Sequence, residues 1–184
     1  VVSNKTLEVR NGTNSIGVYA QNNGAVNMSV QGLTVNVESG EKGIFTKSVS
    51  GAKISLANSV NLNGNSALGI IHQNGDLVNN GTVNVSGEAS VGILSSNSDN
   101  ININFLNNTG NISVNSDSGI GIYGTTLNNA RQNITNSGNI TLAASTSQDK
   151  VILGIYGEEG TRINNTGNIT VGENSIAVYG KGID

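Results

Sequence analysis

Residues 120–123 read Ile120-Gly121-Ile122-Tyr123, and the same four-residue design recurs along the whole chain. Its other copies are Ile16-Gly17-Val18-Tyr19, Lys42-Gly43-Ile44-Phe45, Leu68-Gly69-Ile70-Ile71, Val91-Gly92-Ile93-Leu94, Leu153-Gly154-Ile155-Tyr156 and Ile176-Ala177-Val178-Tyr179. The small second residues stand 26, 26, 23, 29, 33 and 23 positions apart, a mean near 27. A repeat of that length points to a solenoid, in which each unit buries its apolar face only against its neighbours.

Between these runs lies a second pattern, an Asn-Gly turn followed by an alternating strand. It is clearest as NNTGNISV at 107–114, NSGNITL at 136–142 and NNTGNITV at 164–171, with looser copies at 33–37, 60–62 and 82–85. A third apolar segment precedes each turn: Ile54-Ser55-Leu56, Ile101 to Phe105, Ile134 and Ile163. Alternation with period two means strands with two distinct faces. Three strands per repeat cannot form a hairpin array, because an odd number would reverse the direction of equivalent strands. A coiled path avoids this, stacking each strand in parallel on its counterpart about 4.8 Å away. The expected fold is therefore all-β, a right-handed single-stranded parallel β-helix of about six to seven coils, each with three short strands.

Three interior columns follow. One is predicted to hold Leu33, Val83, Ile112, Ile140 and Ile169, and a second Val35, Val85, Val114, Leu142 and Val171. The third holds Val18, Ile44, Ile70, Ile93, Ile122, Ile155 and Val178. Like stacks on like, which suits β-branched side chains on a pleated surface. Asn108, Asn136 and Asn165 fall at the same turn and are predicted to form a stacked amide ladder. Lys42 interrupts an otherwise aliphatic column (Ile16, Leu68, Val91, Ile120, Leu153, Ile176), and its ammonium is expected to reach out to water.

Composition agrees with a turn-rich solenoid. The 184 residues include 32 Asn and 25 Gly but no Pro, Cys or Trp, and only 11% are charged. Asn and Gly both tolerate positive φ, whereas a disordered chain is ordinarily rich in charge and proline. Without Cys there are no disulfides or thiolate metal sites. Nine basic residues scattered singly leave no nucleic-acid footprint. No apolar run reaches the roughly 18 residues of a membrane span. The opening VVSNKTLEV lacks a signal-peptide pattern, so any such signal is expected upstream.

The I-x-N-x-G-x-I run, at Ile134 to Ile140 and again at Ile163 to Ile169, together with GIGIYG at 119–124, resembles the passenger domains of large type V autotransporter adhesins of Gram-negative bacteria. The resemblance covers nearly the whole chain. It implies export through the periplasm and display at the cell surface. It also implies a signal peptide upstream and a membrane β-barrel further toward the C-terminus. Residues 1–184 are then one β-helix segment of a longer passenger, with no catalytic residues shared across the family.

The function expected is adhesion to host cells or other bacteria through a cell-surface protein or glycan. The alternative is a structural stalk that presents a distal binding domain. Uncapped coils could also pair end to end. The candidate binding surface is the stripe Tyr19, Phe45, Ile71, Leu94, Tyr123, Tyr156 and Tyr179, which alternation turns outward if Val18 and its equivalents point in. These rings could instead stack into a stabilising ladder. A second feature is an acidic edge of Glu38, Glu41, Glu88, Asp117, Asp149 and Glu173. It could offer oxygen ligands to Ca²⁺, but the chain lacks the calcium-binding β-roll repeat, and a solvated edge is the preferred reading. Loops of varying length at 95–100, 124–130 and 143–150 are further candidates for a binding surface.

Catalysis is not expected, and no cofactor or metal is. A carbohydrate-active enzyme on this scaffold needs clustered carboxylates in a cleft. Here Asp76 and Asp99 are isolated, Glu158-Glu159 sits in a turn, and His72 reads as a lone surface side chain. An ice-binding surface would want paired Thr columns, and this chain offers one mixed column of Thr34, Asn84, Ser113, Thr141 and Thr170.

Overall fold

In a computed structural model of the chain, residues 5–10, 12–24, 27–49 and 51–182 are described. These contain strands and no helix. In the first coils the strands are β1 (Lys5–Val9), β2 (Ile16–Asn22), β3 (Asn27–Val37), β4 (Lys42–Ser48) and β5 (Lys53–Leu62). The middle coils hold β6 (Leu68–Gln73), β7 (Asp76–Asn79), β8 (Thr82–Val85), β9 (Val91–Asn97), β10 (Ile103–Asn108), β11 (Ile112–Val114) and β12 (Ile120–Thr126). The last are β13 (Arg131–Asn136), β14 (Ile140–Leu142), β15 (Ile152–Gly157), β16 (Thr161–Asn165), β17 (Ile169–Val171) and β18 (Ser175–Gly180).

Every strand pairing is parallel, and each strand pairs with its counterpart in the next repeat. The result is a β-solenoid of about six turns. One face is the sheet β2-β4-β6-β9-β12-β15-β18. The second face carries β7, β10, β13 and β16, and the third carries β8, β11, β14 and β17. In the first coils β3 and β5 supply both of these faces, running continuously round the corner. Gly32 (φ 77°) marks the bend in β3, where the pairing with β5 slips between Gln31 and Thr34. A left-handed residue costs glycine least, which is why the bend falls there.

The third predicted column is found as expected. Val18, Ile44, Ile70, Ile93, Ile122, Ile155 and Val178 pair rung by rung, and the five inner members are almost completely buried. The other two columns are correct in the later coils and displaced by two residues at the start. Val35, not Leu33, aligns through Val60 with Val83, Ile112, Ile140 and Ile169. Val37, not Val35, aligns through Leu62 with Val85, Val114, Leu142 and Val171. The outer column between them consequently runs from Glu8 through Asn36 and Asn61, not Thr34. On the second face Ile54, Leu77, Leu106, Ile134 and Ile163 share the interior file. There Ile103 and Phe105 face outward, 46% and 41% exposed, and Ile101 is 86% exposed.

The small residue of each four-residue run has a steric cause. Two consecutive residues turn inward there, as the burial of both Gly121 and Ile122 shows. A Cβ on Gly43, Gly69, Gly92 or Gly121 would lie 2.5–2.7 Å from the carbonyl oxygen of the next coil's glycine. Only a hydrogen fits. A second column, Gly81-Gly110-Gly138-Gly167, is as tight at the Asn turns, where the distances fall to 1.7–2.1 Å.

The corner between the second and third faces is held by amides. Asn79 donates to Asn108, Asn108 to Asn136 and Asn136 to Asn165, each Nδ2 to Oδ1 at 2.7 Å. Each of the last three also donates to the carbonyl two residues ahead, at 2.8–2.9 Å. The predicted ladder of three thus has a fourth rung at Asn79. In lower coils the same file holds Leu56 and Val30, and Asn58 takes over the corner by bonding Val30 O and Leu33 N.

Candidate functional surface

The first face carries the column Tyr19-Phe45-Ile71-Leu94-Tyr123-Tyr156-Tyr179, all seven in register. The rungs differ in exposure. Tyr19 and Tyr179 are exposed, at 56% and 45%, while Phe45, Leu94, Tyr123 and Tyr156 are half-buried. Ile71 is a correction to the expected stripe, being buried with 5% exposed. Its branched side chain stands beside the longer Phe45 ring and reaches less far from the sheet.

The rings lie face to face along the solenoid axis. Tyr19 and Phe45 stack at 5.5 Å with planes 13° apart, and Tyr123 and Tyr156 at 4.9 Å and 6°. Tyr179 closes the upper group, tilted 48° over Tyr156 at 5.4 Å. Stacking turns ring faces toward one another, so ring edges, with hydroxyls at the tyrosines, are what the stacked pairs at either end of the column present outward. Glu158 ties this edge together, accepting from Thr125 Oγ1 at 2.7 Å and from the Tyr156 hydroxyl at 3.3 Å. Those bonds hold the Glu158 carboxyl below its usual range. Partial burial, then the Glu158 carboxylate, push the Tyr123 phenol up to about 12.

Three members of the acidic edge, Glu88, Asp117 and Glu41, are internally bonded. Lys150 reaches across two coils to Glu88 at 2.8 Å and lies 3.8 Å from Asp117. Asp117 also accepts from the backbone N–H of Thr146 at 2.9 Å, from the Thr146 hydroxyl, and from Ser145 Oγ at 3.1 Å. These bonds, led by the Thr146 N–H, hold its carboxyl below the ordinary value. Glu41 leaves the edge altogether. It is buried and accepts from the N–H groups of Gly12 (2.9 Å) and Ser15 (2.5 Å), bracing the neighbouring turn. Among the described residues no three His, Cys, Asp or Glu side chains converge as metal ligands. The loop at 143–150 is pinned by Ser145, whose hydroxyl donates to Lys150 O at 2.6 Å. Lys42 stays in its column, half-buried between Ile16 and Leu68.

His72 is a second correction. It is not a surface side chain, and 1% of it is exposed. It stands in an inward file between Thr46 and Ser95. Nδ1 lies 2.9 Å from Thr46 Oγ1, and Nε2 lies 3.3 Å from the Gly75 carbonyl. A neutral ring satisfies both when Nε2–H donates to Gly75 and the Thr46 hydroxyl donates to Nδ1. Burial outweighs the Gly75 bond and lowers its pKa to about 4. Alternation alone could have found this, because position 71 belongs to the outward column and 72 must then turn in. Among the described residues no carboxylate bonds the ring, whose partners are the Thr46 hydroxyl and the Gly75 carbonyl.

Comparison with known proteins finds no family model that matches the chain, no similar curated protein and no similar solved structure.

Proposed function

We propose that this chain is a segment of a surface-displayed autotransporter passenger, acting in adhesion to host cells or other bacteria. One observation carries the reading. Seven large side chains stand in register on one sheet face, and all but the buried Ile71 keep an exposed or half-exposed edge that a partner can reach. Parallel stacking supplies the rigidity that such display needs, since every coil is braced by its neighbours. The resemblance of the Ile134–Ile140 and Ile163–Ile169 runs to autotransporter adhesins supports cell-surface localisation, with a partner that is a cell-surface protein or glycan.

A structural stalk is the second reading, and a specific observation favours it. The Tyr123 and Tyr156 rings engage each other at 4.9 Å, which suits a stabilising ladder as well as an interface. Cell attachment of the purified chain separates the two. Dose-dependent attachment, lost in a Tyr123→Ala/Tyr156→Ala variant whose circular dichroism is unchanged, supports adhesion through this face. Absence of attachment by the unaltered chain supports the stalk.

A further inference from the structure

On the second face, away from the aromatic column, two adjoining hollows of about 330 and 400 Å³ share Asn133 and Arg162. Ile103 and Arg131 flank the first, while Phe105 and Asn164 flank the second. All six side chains point outward from β10, β13 and β16. Their register is fixed by the pairing of Ile103 with Arg131, of Phe105 with Asn133 and of Asn133 with Arg162. Arg131 and Arg162 are thus diagonal neighbours on adjacent rungs, roughly 7–8 Å apart at the backbone.

Three properties mark this groove. First, both guanidiniums are exposed and neither forms an ion pair, whereas the ion pairs among the described residues belong to Lys150. Glu159 shares a separate hollow with Arg131 without reaching it as an ion-pair partner. The chain as a whole carries a net charge of −3, so two free cations side by side are a local reversal of sign. Second, Phe105 has no stacking ring among the described residues, unlike the tyrosines of the first face, and is 41% exposed beside Ile103. Asp76, on the rung below Phe105, turns a carboxylate oxygen onto the Phe105 N–H at 3.1 Å. Third, Asn133 and Asn164 offer paired donors and acceptors next to the cations.

We propose that this groove binds a carboxylate-bearing sugar. A guanidinium fork matches a planar carboxylate with two parallel hydrogen bonds. An exposed apolar side chain takes the C–H face of a pyranose, and amides suit its hydroxyls. The volume fits one or two sugar rings. The proposal goes beyond the adhesion reading and stands on a different face, so the two can fail separately.

The test is calorimetric titration of the chain with 3′-sialyllactose, with trigalacturonate and with uncharged lactose. The expected result is binding of at least one acidic sugar and none of lactose. The better acidic ligand identifies whether the acid is terminal or within a chain. Arg131→Ala/Arg162→Ala should weaken binding by roughly a hundredfold, and Arg162→Lys, which keeps the charge but loses the fork, by about tenfold. Lys47→Ala, an exposed cation on the first face, should change nothing, nor should Tyr123→Ala/Tyr156→Ala. Circular dichroism checks that each variant is folded. Equal binding of lactose, binding that survives the double arginine substitution, or no binding of either acid at millimolar concentration overturns the proposal.

Discussion

The side-chain amide of Asn108 donates to the side-chain carbonyl of Asn136 across 2.7 Å, and both residues are completely buried. Neither polar group has water to turn to, so each rung depends on the one beside it. Asn136 also serves the Gly138 carbonyl at 2.9 Å and Asn165 Oδ1 at 2.7 Å. Asn136→Ala leaves the buried Asn108 amide and Gly138 carbonyl without this partner, while the exposed Asn165 can turn to water, and is expected to cost about 2–3 kcal/mol. Urea unfolding monitored by circular dichroism measures this. The exposed Asn84, which donates to Asn61 at 2.8 Å on the outer surface, gives the contrast. Asn84→Ala should cost well under about 1 kcal/mol, because water replaces the lost partner.

The glycine column gives a steric prediction. A methyl group on Gly121 would lie 2.6 Å from the carbonyl oxygen of Gly154, which is itself fixed in the ladder. The coils must separate locally to admit it. Gly121→Ala should destabilise by roughly 1–3 kcal/mol despite a favourable change in unfolded-chain entropy. Thermal melting would register this as a lowered midpoint. An unchanged or raised midpoint would mean that the coils are more loosely spaced than the structure has them.

His72 makes stability depend on pH. The unfolded imidazole titrates near 6.5 and the buried one near 4. Above both values neither state binds the proton, and His72 contributes nothing to the dependence. Between them the unfolded chain takes up a proton that the folded chain refuses, so stability falls as pH drops from about 6.5 toward 4, by about 3 kcal/mol in all. Asp76, raised chiefly by burial, works in the opposite sense as its carboxyl protonates. In His72→Gln the decline over this window should be flatter, as measured by urea midpoints at a series of pH values. An identical decline in both proteins would place the acid sensitivity elsewhere.

The parts of the fold legible in the sequence were those where chemistry leaves one register available. Ile44, Ile70, Ile93, Ile122 and Ile155 are each fixed by the glycine before them, and all five lie in one interior file. The run Leu33-Thr34-Val35-Asn36-Val37 offers three apolar candidates for two inward rungs. Only the bend at Gly32 decides for Val35 and Val37, and a bend is not visible in periodicity. Ile101, Ile103 and Phe105 misled for a related reason. They are apolar and alternate, yet Leu106 and Asn104 are the residues that turn inward. Polar residues inside this solenoid (Thr46, His72, Ser95, Gln132) are bonded to one another or to backbone, as burial requires, so hydrophobicity alone could not place them. The aromatic column was legible in register but not in exposure, because a ring's burial depends on the length of its neighbours. The arginine groove was not legible, since Arg131 and Arg162 are 31 positions apart and meet only through the coil.

The central claim is that successive coils stack in parallel with Thr141 directly against Thr170, both on the outer surface. The chain has no cysteine, so an introduced pair reports without interference. Stacked rungs place the two backbones about 4.8 Å apart, inside the span of roughly 4.4–6.8 Å that a disulfide bridges. Ser113 and Thr170 lie two rungs apart in the same column, near 9.6 Å and beyond that reach. Mild oxidation should therefore close an intramolecular bond in Thr141→Cys/Thr170→Cys and leave Ser113→Cys/Thr170→Cys reduced, read by free-thiol titration of the monomer. Closure of the second pair with none in the first would contradict the stacking, and the functional surfaces built on it would fall with it.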